Sequence, residues 1–195
     1  MKRGLLIVLS GPSGVGKRTL WTPLMDDKKL NLGFSISMTT RPKRFDEVEG
    51  KDYFFVNKEQ FEKAIKEGRM LEYATYVNNY YGTPKDYVNA LREKGINVLL
   101  EIESQGAFQI MDYAKKANDK GVLTIFILPP SVKHLIERLR TRGTETSEKI
   151  EQRVKQAQWE VSVANRYQHQ VVNDDLHRAQ SELKKIVLNA INKNE

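Results

Sequence analysis

The residues best suited to chemistry form a glycine-rich stretch near the start of the chain, Gly11-Pro-Ser-Gly-Val-Gly-Lys-Arg-Thr19. Gly11, Gly14 and Gly16 let the backbone turn tightly with its N–H groups directed inward. Those donors, the positive end of a helix dipole and the Lys17 ammonium together make a cradle for an anion. The stretch is therefore predicted to be a phosphate-binding loop and not a ligand-free turn.

Position 18 departs from the usual pattern of such loops. Ser or Thr normally follows the lysine and places a hydroxyl on Mg²⁺, but here Arg18 follows and Thr19 comes one residue later. A guanidinium cannot ligate a cation. Either Thr19 or a water fills the site, or the nucleotide oxygens hold the metal, because Mg²⁺ usually keeps several waters.

A second group of side chains combines two guanidiniums with two phenols: Arg41, Arg44, Tyr53 and Tyr81. Arginine binds phosphate through two parallel hydrogen bonds, so this set suits a dianionic phosphate. The alternative is an exposed basic turn beside two core tyrosines.

Two carboxylates, Glu101 and Glu103, end a predicted strand over Val98–Ile102. Residues two apart on a strand share a face, so both can face one cleft. There they could hold Mg²⁺ through water, or bind a ribose and an amine. The alternative is a pair of surface carboxylates.

Three arginines form a further candidate group. Arg138 and Arg142 are four residues apart and share a face if their helix reaches that far, and Arg153 lies on the following helix. Phosphoryl transfer needs such charge, because its transition state spreads negative charge over the equatorial oxygens. The alternative is a solvated basic helix face.

The elements that position these residues alternate between strand and helix. Short apolar runs are predicted to be strands buried on both faces at Leu5–Ser10, Val98–Ile102, Leu123–Leu128 and Gln170–Val172. Helices are predicted between them, for example over Ala107–Ala117 and Val132–Arg140. The pattern indicates an α/β fold whose parallel sheet is flanked by helices and binds ligands beyond the carboxyl ends of its strands.

Residues 35–90 are predicted to form an inserted α+β subdomain with a smaller, more antiparallel sheet, including strands at Tyr53–Val56 and Met70–Val77. One helix is predicted to begin after Asn57, with Gln60 completing a capping box. Thr83 is predicted to cap the next helix. Residues 129–159 are predicted to form two helices around Arg142–Thr146, and residues 174–191 a terminal amphipathic helix.

Composition restricts the class of protein. The chain has 195 residues, a net charge of +7 and no cysteine, so it is expected to form one domain without disulfides or thiolate metal sites. The first apolar run is too short for a signal peptide, and no run is long enough to span a membrane. The arginines fall in separate groups, which disfavours nucleic-acid binding. We expect a cytoplasmic protein with small-molecule partners and leave its oligomeric state open.

Five segments together resemble the guanylate kinases: residues 11–19, Ser35–Arg44, Gly50–Phe55, Asn79–Pro84 and Arg142–Thr146. The resemblance implies a P-loop NTPase core, ATP-dependent phosphorylation of GMP to GDP, and Mg²⁺ acting with ATP. It also implies a division into a core (1–34, 91–128, 160–195), a GMP-binding subdomain (35–90) and a helical lid (129–159).

The resemblance assigns a role to each candidate residue. Glu72 is implied to bind guanine, aided by the Ser37 and Thr83 hydroxyls, because one carboxylate can accept both N1–H and the N2 amine. The implied GMP-binding set is Ser37, Arg41, Arg44, Tyr53, Glu72, Tyr81, Thr83, Glu101 and Glu103. The implied ATP-binding set is Gly11, Pro12, Ser13, Gly14, Val15, Gly16, Lys17, Arg18, Thr19 and Asn173. The implied catalytic set is Lys17, Arg41, Arg138, Arg142 and Arg153. No residue is predicted as a dedicated metal ligand, and Thr19 and Glu101 are the candidates for contact through water.

Two alternatives remain at this point. One is a kinase of the same fold that acts on another small phosphorylated substrate, against which Ser37, Glu72, Tyr81 and Thr83 argue. The other is an inactive guanylate-kinase-like module that binds phosphopeptides. The intact Lys17 and its glycines disfavour the second alternative, and only Arg18 supports it.

Overall fold

The computed structural model describes residues 2–76, 78–141 and 147–194. The strands in chain order are β1 (Leu6–Ser10), β2 (Leu32–Phe34), β3 (Ser37–Thr39), β4 (Tyr53–Phe55), β5 (Met70–Tyr76), β6 (Asn79–Pro84), β7 (Asn97–Glu101), β8 (Val122–Leu128) and β9 (His169–Val172). The α-helices are α1 (Lys17–Trp21), α2 (Lys58–Lys66), α3 (Lys85–Glu93), α4 (Ser104–Ala117), α5 (Val132–Thr141), α6 (Ser147–Ser162) and α7 (Leu176–Asn194).

Five of the described strands form a central sheet in the order β2-β7-β1-β8-β9. Every neighbouring pair is parallel, which confirms the prediction of an α/β fold with a parallel sheet. Leu9 of β1 pairs with Glu101 of β7, so the two strands end side by side. The loop after β1 and the carboxylates after β7 therefore meet at one edge of the sheet.

The central sheet is covered on both faces, and β1 shows how its sequence achieves this. Ile7 and Leu9 pack in a core cluster with Leu183 of α7. Leu6 and Val8 point the other way into a second cluster. Side chains alternate between the faces of a strand, so a strand that is covered on both sides must be apolar throughout.

The remaining described strands form a smaller sheet in the order β4-β3-β6-β5. Its β3–β6 and β5–β6 pairs are antiparallel and its β3–β4 pair is parallel, as the prediction of a more antiparallel sheet requires. The chain enters this sheet after β2 and leaves it through α3. Helix α2 begins with the predicted capping box, in which Asn57 and Gln60 exchange side-chain to backbone hydrogen bonds.

The start of α3 differs from the prediction. The helix begins at Lys85 after Pro84, and Thr83 belongs to β6 and does not cap the helix. The Thr83 hydroxyl instead donates a 2.6 Å hydrogen bond to the Glu72 carboxylate. Both side chains are buried, and a buried carboxylate needs a donor more than an accessible helix end does.

Helices α5 and α6 confirm the two predicted helices on either side of Arg142–Thr146, a segment that lies outside the described residues. Helix α7 confirms the terminal amphipathic helix, although it begins at Leu176. Within the described ranges, no helix combines the length and apolarity needed to cross a bilayer.

An ion pair ties the end of α3 to the amino-terminal edge of the central sheet. Arg92 is only 1% exposed, and its guanidinium donates to both Asp119 oxygens at 2.6 and 3.0 Å. The same guanidinium donates to the carbonyl oxygens of Gly4 and Gly121, the residues that lead into β1 and β8. The pair therefore holds both strand starts together.

Replacing Asp119 with Ala should lower the free energy of unfolding by about 3 kcal/mol, because a buried guanidinium would lose its counter-charge. Urea denaturation would measure the loss. Asp112→Ala is the matched control, since Asp112 lies exposed on α4, and it should change stability by less than about 0.5 kcal/mol. Equal effects of the two substitutions would contradict the role given to the pair.

Candidate active site

The glycine-rich loop leaves β1 under tight steric limits. Gly11 and Gly16 adopt φ values of 150° and 92°, which side chains of L-residues rarely tolerate. A Cβ on Gly11 would lie 2.5 Å from the Ile127 carbonyl oxygen of β8. Val15 is fully buried and anchors the loop on the core. The loop is thus held against the sheet by glycines on one side and an apolar anchor on the other.

The Lys17 side chain folds back over the loop that precedes it. Its Nζ donates to the carbonyl oxygens of Gly11 at 2.6 Å and Pro12 at 3.3 Å. Burial lowers the pKa of Lys17, while Glu101, Glu160 and Glu103 oppose that effect through their negative charges. The ammonium therefore sits in a partly desolvated, carboxylate-rich environment.

Asn173 supports the loop from the end of β9. Its amide Nδ2 donates to the Val15 carbonyl oxygen at 2.8 Å, and Asn173 is buried. A Cβ on Gly16 would lie 2.8 Å from the same nitrogen, so the close approach needs glycine there. The start of α7 is capped by Asp175, whose side chain accepts from the Arg178 N–H.

Arg18 and Thr19 are both exposed at the start of α1. Their backbone carbonyl oxygens accept hydrogen bonds from the Thr22 hydroxyl at 2.7 Å and the Gln180 side chain at 3.0 Å. In the part of the chain that the structure describes, no group of three or more His, Cys, Asp or Glu residues could hold a metal ion.

A cavity of about 340 Å³ takes its walls from both sheets and includes Glu101, whose charge acts on Lys17 of this loop. The predicted residues that line it are Ser37, Tyr53, Glu72, Tyr81, Glu101 and Glu103. The structure therefore brings together six side chains that are spread between positions 37 and 103 of the sequence.

Glu72 is the most deeply buried carboxylate of this cavity, at 6% exposure. Burial raises its pKa to about 7, and the nearby Glu103 adds to the rise while the Thr83 hydrogen bond opposes it. A Cβ on Gly106 of α4 would lie 2.7 Å from Glu72 Oε2. Gly106, which the sequence analysis does not single out, thus leaves the space that Glu72 occupies.

Arg41 lies at the tyrosine end of the cavity and binds a carboxylate that the sequence analysis missed. Its two terminal nitrogens donate to the two oxygens of Glu47 at 2.7 and 2.6 Å. The pair holds the pKa of Glu47 well below its usual range. The Arg41 guanidinium lies 5.2 Å from the Tyr53 ring centre, and Tyr53 is in edge contact with Tyr81.

Arg44 joins the same cluster through its backbone. Its N–H donates to Glu47 Oε2 at 2.8 Å. The two arginines of the predicted phosphate-binding set therefore meet at one carboxylate, and the acid at position 47 could have been found by its short spacing from both.

Of the three arginines predicted in the helical segment, two lie in the part of the chain that the structure describes. Arg153 on α6 donates to the Ser13 hydroxyl at 2.7 Å, which brings it to the phosphate-binding loop. Arg138 lies within α5, and Arg142 lies outside the described residues.

Glu160 is a second acid that the sequence analysis missed. It lies on α6, is 4% exposed, and faces Lys17 and Glu103. Burial raises its pKa to about 7, an effect that Lys17 opposes and Glu103 strengthens. A hydrogen bond from the backbone of Ser104, the first residue of α4, also opposes the rise in pKa. A single glutamate on a charged helix carries no sequence motif that would have revealed this position.

Residues 3–190 match the family model described as guanylate kinase. The chain belongs to the guanylate kinase family. The resemblance drawn from the five sequence segments is thereby confirmed.

Individual guanylate kinases agree with the family match over nearly the whole chain. The guanylate kinase of Streptococcus agalactiae serotype III (strain NEM316) is 50% identical over 186 residues, covering 95% of this chain and 87% of its own. That of Mycoplasmoides gallisepticum is 47% identical, covering 96% and 93%. The crystal structure of guanylate kinase from Anaplasma phagocytophilum superposes with a TM-score of 0.68 at 34% identity, covering 96% and 86%.

In this guanylate kinase family member, Glu160 makes stability depend on pH. Its folded-state pKa of about 7 exceeds the ordinary value of 4.5, so the folded chain binds more protons between these values. Stability attributable to Glu160 therefore falls as the pH rises from about 4.5 to about 7. Glu160→Gln removes that penalty and should therefore raise the melting temperature above that of the parent. The increase should be at least about 3 °C larger at pH 8 than at pH 5.

Calorimetry at the two pH values would measure this difference. Glu151→Gln is the control, because Glu151 lies on the same helix with a side chain that is 69% exposed. A difference between Glu160→Gln and the parent that stays constant with pH would contradict the prediction.

Proposed function

We propose that this chain transfers the γ-phosphoryl group of ATP to GMP, giving ADP and GDP. The observation that carries the proposal is the placement of a buried carboxylate, Glu72, in one cavity with Glu101, whose charge acts on the lysine of the phosphate loop. Glu101 connects the two parts, because it lines the cavity and is the strongest opposing charge on Lys17.

ATP is assigned to the loop formed by residues 11–19. The backbone N–H groups of the loop and the N-terminus of α1 suit the β- and γ-phosphates. In this structure Lys17 donates its hydrogen bonds to two loop carbonyl oxygens, and with ATP bound it would donate them to phosphate oxygens instead. Asn173 donates to the Val15 carbonyl oxygen of this loop, and we assign it a place near the adenine of ATP.

GMP is assigned to the cavity. Glu72 would accept the guanine N1–H and N2 amine, with Ser37 and Thr83 beside it. Adenine presents an acceptor at N1 and would leave a buried carboxylate unpaired, which can give a discrimination of about 10⁴-fold.

The GMP phosphate is assigned to Arg41, Arg44, Tyr53 and Tyr81. The Arg41 fork already binds an anion with two oxygens, the Glu47 carboxylate, in the geometry that phosphate also uses. Phosphate would therefore compete with Glu47 for the same donors.

The transfer forms one P–O bond and breaks another. An oxygen of the GMP phosphate attacks the γ-phosphorus while the bond to the ADP oxygen breaks, without a covalent enzyme intermediate. The protein contributes position and positive charge, from Lys17 and from Arg138, Arg142 and Arg153. Arg153 supports this role by its contact with Ser13 of the loop.

The site suits Mg²⁺ held through water and nucleotide oxygens. The groups at hand are the Glu101 carboxylate and the Thr19 hydroxyl, and oxygen donors are those that Mg²⁺ prefers. When bound with ATP, the ion supplies charge that offsets the phosphate oxygens.

We assign ATP binding, GMP binding and closure of the site to the three predicted segments of the chain. Residues 1–34, 91–128 and 160–195 would hold ATP, residues 35–90 would hold GMP, and residues 129–159 would act as a lid. Closure of the outer segments over the core would exclude water, which would otherwise hydrolyse ATP.

A coupled assay of ADP formation tests the proposal directly. The full-length chain with Mg·ATP should turn over GMP and show at least about 10³-fold lower kcat/KM with AMP, UMP and CMP. Equal activity with another acceptor would indicate a different kinase. GMP binding without turnover would contradict an enzymatic role.

The pKa of Glu72 predicts how GMP binding depends on pH. Guanine needs the ionised carboxylate, and with a pKa of about 7 the ionised fraction falls about tenfold between pH 8 and pH 6. The dissociation constant of GMP, measured by calorimetry, should rise by about the same factor over this range.

The phosphate of GMP also titrates near pH 6, so the control is Glu72→Gln, in which only the ligand titrates. This variant should bind GMP more weakly at every pH and show a shallower pH dependence. The same slope in both proteins would remove Glu72 from the base site.

A further inference from the structure

Trp21 connects parts of the site that its position in the sequence does not suggest. It is the last residue of α1, one helical turn after Lys17, and it is 8% exposed. Its ring stacks on Phe34 with centroids 4.7 Å apart and planes at 14°. Phe34 ends β2, the strand from which the chain passes into the smaller sheet.

The indole N–H makes the more specific contact. Nε1 donates to Glu101 Oε2 at 2.6 Å, across 80 residues of sequence. An indole can only donate, and a hydrogen bond to a carboxylate is about twice as strong as one between neutral groups. The bond fixes one oxygen of Glu101 and limits rotation of its side chain.

The position of Glu101 makes this restraint consequential. Glu101 lines the cavity assigned to GMP, and its charge acts on Lys17 of the phosphate loop. Lys17 and Trp21 lie on the same short helix, four residues apart. One turn of α1 therefore carries both Lys17, which is assigned to the ATP phosphates, and Trp21, which holds the Glu101 carboxylate of the cavity assigned to GMP.

We propose that Trp21 is a positioning residue for the transfer: its indole N–H holds the Glu101 carboxylate at the cavity wall, at a fixed position relative to the phosphate loop. The functional part of this inference rests on the proposed function. Apolar packing alone would need only the ring, and phenylalanine supplies a ring that can stack on Phe34. The N–H is the atom that the positioning role requires.

Nuclear magnetic resonance tests the contact without reference to activity. The chain has two tryptophans, so a ¹⁵N–¹H spectrum of the full-length protein should contain two indole signals, which Trp159→Phe assigns. The Trp21 signal should lie downfield and move upfield in Glu101→Ala. An unmoved signal would overturn the proposal.

Kinetics test the consequence. Trp21→Phe should lower kcat/KM for GMP about tenfold, because a hydrogen bond to a charged group is lost, and should change the KM for ATP less than about twofold. Tyr113→Phe is the matched control, because it also removes one hydrogen-bond donor and keeps an aromatic ring. Tyr113 lies on α4 outside the cavity lining, with Lys85 near its ring, so this variant should keep the parent values.

A double-mutant cycle separates positioning from general loss of structure. In the Glu101→Ala background, Trp21→Phe should have no further effect on kcat/KM for GMP. An undiminished effect in that background would overturn the proposal. Absence of GMP turnover in the parent protein would instead contradict the proposed function, and the indole signal would then decide whether Trp21 holds Glu101.

Discussion

The charge balance around Lys17 is the constraint on which the site depends. Its ammonium is partly withdrawn from water and is surrounded by two loop carbonyls and by the charges of Glu101, Glu103 and Glu160. A buried cation needs such partners, but full negative charge on all three acids would repel an incoming triphosphate. The raised pKa of Glu160 resolves this conflict in part, because a carboxyl that protonates near neutral pH can reduce its own charge.

The strand order explains why these groups meet. Pairing of β1 with β7 places the loop beside Glu101, and pairing of β1 with β8 places Ile127 against Gly11. The smaller sheet then adds Glu72, which reaches α4 only because Gly106 has no side chain. Each charged group comes from a different element, and the central sheet fixes the distances between them.

Much of this arrangement could be predicted from local patterns. The phosphate loop, the parallel strands and the capping box at Asn57 each depend on residues that are close in sequence. The prediction that Thr83 caps α3 was wrong because its hydroxyl donates to a distant buried carboxylate, Glu72. Glu160 and the Trp21–Glu101 bond were missed for the same reason, since their partners become neighbours only through the fold.

The support that Asn173 gives to the loop has a consequence for how the protein is made. The Val15 carbonyl, formed early in synthesis, receives its amide partner from a residue 158 positions later. A nascent chain emerging from the ribosome therefore has the glycine-rich segment long before it has the contact that shapes it. The loop therefore takes the shape described here only after residue 173 has been translated and has packed against it.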